Sequence, residues 1–205
     1  SLPSRQELRA ALGLPADALI LGALGRFDRQ KGFDVLLRAL SAPPLRNRSC
    51  LVALAGYGIE EPALRGLARD LGVAERVRFV GIQPGPERFL PALDVCVCPS
   101  RWEGFCLVAL EAMACGVPVV ASDLEAIREL AGGGTDEGAA ILVPAEDAVA
   151  LGQGIDRLLG DGALGRTLAA RGLVRARDFS RESMVAGYQD LYTEVLAEPR
   201  RPPGA

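Results

Sequence analysis

Six times along the chain, a short run of Val, Leu, Ile and Ala is followed by a stretch in which apolar residues recur at helical spacing. The runs are ALILGALG at 18–25, CLVALAG at 50–56, RVRFVG at 76–81, DVCVCPS at 94–100, VPVVAS at 117–122 and AAILVP at 139–144. Near-continuous apolar runs of this length, bounded by Gly, Pro and Asp, are strands covered on both faces, and strands alternating with helices close into a parallel sheet. The expected fold class is therefore α/β: one domain, with a six-stranded parallel sheet and helices on both faces. Helices are expected over 4–12, where Ser4 and Glu7 form a capping box, and over 32–42, 61–72, 85–93 and 124–131. Another starts near Phe105 or Cys106 and ends at Gly116, a natural residue just past a helix. Three more follow over 146–159, 161–177 and 181–197. The domain is expected to span 1–198, with a flexible tail at 199–205.

Composition narrows the function classes. Among 205 residues the net charge is -3, so no basic field awaits nucleic acid or anionic lipid. No apolar run reaches the roughly 18 residues of a membrane span, and SLPSRQELRA lacks the apolar core of a signal peptide. A cytoplasmic location is expected, with a peripheral place at the inner membrane open to a full-length protein. The five cysteines are odd in number, and four lie in apolar segments, as buried thiols do. There is no histidine, so this chain alone builds no Ser-His-Asp or Cys-His nucleophile and few zinc sites.

Ligands of open parallel sheets sit beyond the carboxyl ends of the strands, so residues that directly follow strands carry the argument. GRFDRQKG at 25–32 brings Arg26 and Lys31 out of the first strand after Gly25; two such cations can bind an anion or simply face water. The loop containing Gly56, in GYG, is a turn before it is a ligand loop, and GIQPG at 81–85 can present backbone near Ile82 to a base or merely connect two elements. The segment RWEGFCLVALEAMACG at 101–116 is sharper. Gly104 allows close backbone approach, and the first amides of the following helix, around Phe105, Cys106 and Leu107, have no intrahelical partners and favour an anion, foremost a phosphate. Glu111 lies on the order of 8 Å into that helix, about the span from a diphosphate to the sugar of a nucleoside, where a carboxylate can accept from vicinal hydroxyls. Glu103 precedes the helix and faces the group beyond the phosphates. The plainer alternatives are a capping acid at Glu103 and an exposed surface acid at Glu111.

These residues together resemble the group 1 retaining glycosyltransferases, whose GT-B fold pairs two facing Rossmann-like domains. The resemblance runs over roughly 4–197 and is to the carboxyl-terminal, donor-binding domain, half of a GT-B fold. It rests on EGFCLVALE, from Glu103 to Glu111, for the Glu-x7-Glu signature, and on EAMACGVPVVAS after it. Gly25, Arg26, Lys31 and Gly32 stand for Gly-Arg-x4-Lys-Gly, and SDLEAIREL leads into AAILVP. The resemblance implies that Arg26 and Lys31 bind the donor diphosphate and assist departure of the nucleoside diphosphate, that Glu103 holds hydroxyls of the donor sugar, and that Glu111 holds the ribose. It further implies that amides of Gly104, Phe105, Cys106 and Leu107 contact phosphate and sugar, and that backbone near Ile82 reads the base. It implies catalysis without a bound metal or other cofactor, and no Asp-x-Asp occurs here. Retention is ascribed to front-face attack, with a departing phosphate oxygen taking the acceptor's proton.

The donor is expected to be a nucleoside-diphosphate sugar, with UDP- or GDP-sugars ahead of ADP-sugars. Two departures stand out. Position 106, usually glycine in the family, is Cys106, and a helix start with two nearby cations is expected to favour its thiolate, making it the fastest of the five cysteines to alkylate, with nucleotide protecting it. The acceptor-binding amino-terminal domain is absent, so the chain is expected to bind donor and transfer little until that partner domain, from the same or a separate chain, is supplied. The alternatives are a non-catalytic nucleotide-binding subunit, or half of a sugar-nucleotide epimerase or phosphorylase. An epimerase would need further acids and histidines from the other half, and a phosphorylase a pyridoxal lysine motif that this sequence lacks.

Overall fold

A computed structural model describes residues 3–134 and 137–197. The strands are β1 (Leu19–Leu24), β2 (Cys50–Ala55), β3 (Val77–Gly81), β4 (Val95–Cys98), β5 (Val119–Ser122) and β6 (Ala140–Val143). All pair in parallel in the order β3-β2-β1-β4-β5-β6. The helices are α1 (Arg5–Ala11), α2 (Phe33–Ser41), α3 (Glu61–Asp70), α4 (Leu107–Ala114), α5 (Glu125–Ala131), α6 (Ala148–Gly160), α7 (Gly162–Ala176) and α8 (Arg181–Ala197). None of these is long and apolar enough to cross a membrane.

The strands alternate between two cores. Leu21, Ala23, Val52, Leu54, Val95 and Val97 join the core under α2, α3 and α6, while Ile20, Ala53, Ala55, Cys96, Cys98, Val119 and Ala121 join the one under α4 and α5. That period of two, apolar on both sides, is why the strands read as unbroken apolar runs. Cys96 and Cys98 occupy such positions as small apolar residues, as their alternation suggests. Burying one Leu or Val side chain contributes about 1.5–3 kcal/mol, so the two cores hold the sheet from both faces.

The chain winds outward from β1 through α2 to β2, then returns from β3 to β4 and winds the opposite way through α4 to β5. Parallel crossovers are right-handed, so reversing the winding puts α2 and α4 on opposite faces and opens a crevice at the carboxyl ends of β1 and β4. The amino ends of the same strands are tied by Asp94, whose Oδ2 accepts from the Ile20 amide at 2.7 Å and from buried Arg9 at 2.8 Å. Arg9 also donates to the Ala92 and Ala18 carbonyls at 2.9 Å. Nothing in the helical pattern of α1 marks Arg9 as a core residue; its partners come from distant loops.

The capping box is present: the Ser4 amide donates to Glu7 Oε2 at 2.8 Å, and the Glu7 amide donates to Ser4 Oγ. The helix expected over 85–93 is instead two short 3-10 turns, Pro86–Arg88 and Leu90–Ala92. Pro91 removes the amide that would bond the Glu87 carbonyl and its ring crowds that carbonyl, which breaks a continuous helical ladder, whereas Pro86 stands at the first helical position, where proline is tolerated. The helix expected to start at 105 or 106 starts at Leu107. Gly116, at φ 67°, follows the end of α4 as expected. The tail at 199–205 lies outside the described residues.

Candidate nucleotide-sugar site

The loop after β1 and the loop after β4 are locked backbone to backbone. A Cβ on Gly32 would lie 2.1 Å from the Pro99 carbonyl oxygen, and Gly32 adopts φ 63°, so only glycine fits there. The Arg101 amide donates to the Gln30 carbonyl at 2.8 Å, Gln30 Nε2 donates to the Trp102 carbonyl at 3.0 Å, and the Arg101 guanidinium donates to the Arg29 carbonyl at 2.8 Å. Arg101 also makes two bonds to Asp34 on α2, both 2.9 Å, and one to Glu146 at 2.7 Å, which raise its already high pKa further. A planar guanidinium with five donors suits this junction of three loops.

That scaffold brings two of the expected site residues into contact. A 3-10 turn at Arg29–Lys31, capped by Asp28, sends Lys31 back across Gly25, where a Cβ would lie only 3.4 Å from the lysine stem. Lys31 Nζ then lies 2.7 Å from Glu103 Oε1, and the same oxygen accepts from Ser100 Oγ at 2.7 Å. The pair is largely buried, with side chains 19% and 7% exposed. Ser100 was not singled out in the sequence; its position three residues before Glu103 and at a strand end was the available signal. Arg26 stands apart, exposed and paired with Asp28 at 3.1 Å.

Around Glu103 the backbone offers donors. The amides of Gly104, Phe105, Cys106, Leu107 and Val108 donate to no described residue, and α4 has no side-chain cap. Glu103 is therefore not a capping acid; it binds Lys31 instead. A run of free amides at the start of an eight-residue helix favours an anion. Gly104 has open space where a Cβ would stand. Phe105 is anchored edge-on against Phe179 at 5.4 Å between ring centres. Leu107 and Ile82 project into solvent, with Ile82 following Gly81 at φ 70°. Gly56 has a packing role, since a Cβ would fall 1.9 Å from the Gly25 carbonyl oxygen. Glu111 is half-buried on α4, where burial, with the nearby Glu87 charge second, pushes its carboxyl upward.

Cys106 departs from expectation. It takes φ 69° and ψ 65°, the left-handed region that favours glycine. Its side chain turns inward, 5% exposed, beside the Cys98 thiol. The interaction with Cys98 and then burial drive its pKa well above the ordinary thiol value, with the Glu103 charge adding to the effect. A thiolate is disfavoured there, which reverses the expectation of a reactive, nucleotide-protected thiol. The sequence showed the helix start but not the inward turn of the side chain.

No group of three or more His, Cys, Asp or Glu among the described residues could hold a metal ion. A cavity of about 540 Å³ lies at the other end of the sheet, between the end of α5, the start of β6 and α7. It contains none of the residues above.

Comparison with known proteins bears on the family and the fold, not on the site residues. The family described as "Glycosyl transferases group 1" matches residues 18–161. A D-inositol 3-phosphate glycosyltransferase of Salinispora tropica is 40% identical over 206 residues, covering 94% of this chain and 42% of that protein. A sucrose-phosphate synthase of Thermosynechococcus elongatus superposes with TM-score 0.81 at 36% identity, over 93% of this chain and 49% of its own. Anabaena Alr3699/HepE, solved in complex with UDP and glucose, superposes with TM-score 0.80 at 26% identity, over 95% of this chain and 52% of its own. The chain thus spans about half the length of the relatives it matches. By sequence and by fold, it belongs to the group 1 glycosyl transferases.

Proposed function

We propose that this chain is the donor-binding half of a metal-independent, retaining glycosyltransferase that moves a sugar from a nucleoside-diphosphate sugar to an acceptor hydroxyl. The observation that carries the reading is the Lys31–Glu103 pair beside five unpartnered amides in the crevice between β1 and β4. In this reading the donor diphosphate lies against Lys31, Arg26 and the amides of 104–107. Arg26, largely exposed and ion-paired among the described residues with Asp28, can swing to the phosphates at little cost. Two cations and a helix start then stabilise charge on the departing diphosphate, the part that a metal ion plays in other transferases. Glu111, just over one turn along α4, accepts from the ribose hydroxyls, and backbone at Ile82 meets the base. Glu103 accepts from hydroxyls of the donor sugar while Lys31 and Ser100 fix its carboxylate.

Acceptor binding belongs to the other half of the protein, an amino-terminal domain on the same or a separate chain. Exposed Met184, Tyr188, Leu191 and Val195 on α8 offer apolar surface for it. UDP is the leading donor nucleotide, because a relative of this fold was solved with UDP and glucose. A cytoplasmic setting, soluble or peripheral to the inner membrane, suits such a donor.

Calorimetric titration of the chain with UDP, GDP and ADP in EDTA tests the reading. Selective binding of one nucleotide, weakened at least tenfold in Glu111→Ala and in Arg26→Ala, is the expected result. Binding that requires a divalent cation, or that ignores both substitutions, would overturn it.

A further inference from the structure

On the β5 side of Glu103 lies a second cavity of about 440 Å³. Trp102, Glu103 and Gly104 wall it from the loop after β4, and Leu124, Glu125 and Glu129 from the start of α5. Glu103 belongs both to this wall and to the small pocket that holds Lys31. Its Oε1 takes both bonds, from Lys31 and from Ser100. Its Oε2 receives no bond from any described residue, yet no fully buried side-chain oxygen of the described chain lacks a partner. Oε2 therefore reaches solvent, although the side chain is only 7% exposed, and this cavity is one of the two spaces that Glu103 lines.

The charges around this cavity are one-sided. The Arg101 guanidinium at its rim is committed to Asp34 and Glu146. Arg128, on the same helix as Glu125 and Glu129, is held by Asp123, with Glu125 a lesser influence. Glu125 and Glu129 form no ion pair with a described residue, and both are exposed. The wall thus carries Glu125 and Glu129, without an ion pair to any described residue, the Lys31-paired Glu103, and the half-exposed indole of Trp102. Carboxylates accept from hydroxyls, and an indole offers a broad amphipathic face to a ring. In the donor-binding reading, a diphosphate at Lys31 would leave the group joined to it on the far side of Glu103, where this cavity lies.

We propose that this cavity receives the glycosyl group of the donor, and that Glu125 and Glu129 make it a charge filter that accepts neutral sugars and rejects uronates. The inference rests on the donor-binding reading above. A sugar carboxylate brought within roughly 6 Å of these two acids, in a partly solvated site, is disfavoured on the order of tenfold in affinity. Neutral hexoses meet no such penalty and gain hydroxyl bonds to the same carboxylates.

The test compares UDP, UDP-glucose and UDP-glucuronate by calorimetry in EDTA, on this chain and on the Glu125→Gln/Glu129→Gln double variant. Both substitutions are isosteric and exposed, so the fold is retained. Trp102 is the chain's single tryptophan, and its emission reports the cavity directly. The expected result is UDP-glucose bound about tenfold tighter than UDP-glucuronate, a ratio that falls below about threefold in the double variant, with Trp102 emission moved by UDP-glucose and not by UDP. Equal affinity for the two sugars, a ratio untouched in the variant, or a Trp102 signal indifferent to the sugar would overturn the charge filter while leaving the donor reading in place. Failure of UDP itself to bind would overturn both.

Discussion

Replacing Cys106 separates backbone strain from side-chain packing at the start of α4. At φ 69° and ψ 65°, a Cβ costs an L-residue about 1–2 kcal/mol relative to glycine. Elsewhere glycine is the poorer choice by about 0.5–1 kcal/mol relative to alanine, through its entropy in the unfolded chain. The difference favours glycine at 106 by about 0.5–1 kcal/mol. The buried sulfur works in the opposite direction, since its removal forfeits about 1 kcal/mol of burial. Cys106→Ala should therefore be the least stable of the three, losing the sulfur and keeping the strain, while Cys106→Gly recovers most of the loss. Ala109, fully buried inside the same helix, is the control, and Ala109→Gly should destabilise by about 1 kcal/mol or more. Urea unfolding followed by circular dichroism, with a shared m-value, reads these differences. In heating experiments a chain of this size should separate Cys106→Gly from Cys106→Ala by roughly 1–4 °C. Finding Cys106→Ala as stable as Cys106→Gly, or more so, would refute the left-handed assignment.

Thiol labelling of the native chain should modify Cys115, the half-buried cysteine, ahead of Cys50, Cys96, Cys98 and Cys106; mass spectrometry that finds Cys106 first would contradict its inward placement. Because burial raises the Glu111 carboxyl above its unfolded value, its ionisation opposes folding, and stability falls as pH rises from the unfolded toward the folded pKa. Glu111→Gln should thus be more stable than the parent at pH 7, by a few tenths of a kcal/mol to about 1, with the advantage vanishing near pH 4, while nucleotide affinity drops. Denaturant titrations at the two pH values check the sign. Arg101→Met leaves Asp34 and the Arg29 carbonyl without their donor and should destabilise by about 2–4 kcal/mol; a change below 0.5 kcal/mol would show that the loop junction does not depend on this guanidinium.

The alternation of strands and helices was legible because every strand but β3, the edge strand with exposed Arg78, is apolar on both faces, so its pattern survives without knowledge of its neighbours. Apolar spacing alone could not distinguish a helix from two 3-10 turns at 86–92, where the interior Pro91 decides the matter. Glu103 and Glu111 could be picked out as acids in an apolar segment, and Arg26 and Lys31 as cations after a strand. Their pairing could not, because Lys31 meets Glu103 only once β1 and β4 are neighbours, a contact across 72 residues. The same holds for Arg9 with Asp94 and for Arg101 with Asp34. Cys106 was misread for a local reason: a residue before a helix normally points outward, whereas a left-handed φ turns this side chain into the core.

The central claim, that the carboxyl ends of β1 and β4 hold the nucleoside diphosphate of a sugar donor, is tested most directly by a crystal structure of the chain grown with UDP and EDTA. The account predicts the diphosphate against Lys31, Arg26 and the amides of 104–107, with the ribose on Glu111. Nucleotide bound elsewhere, for example in the cavity beside Gly132 and Arg175, with the Lys31–Glu103 crevice unoccupied, would contradict it.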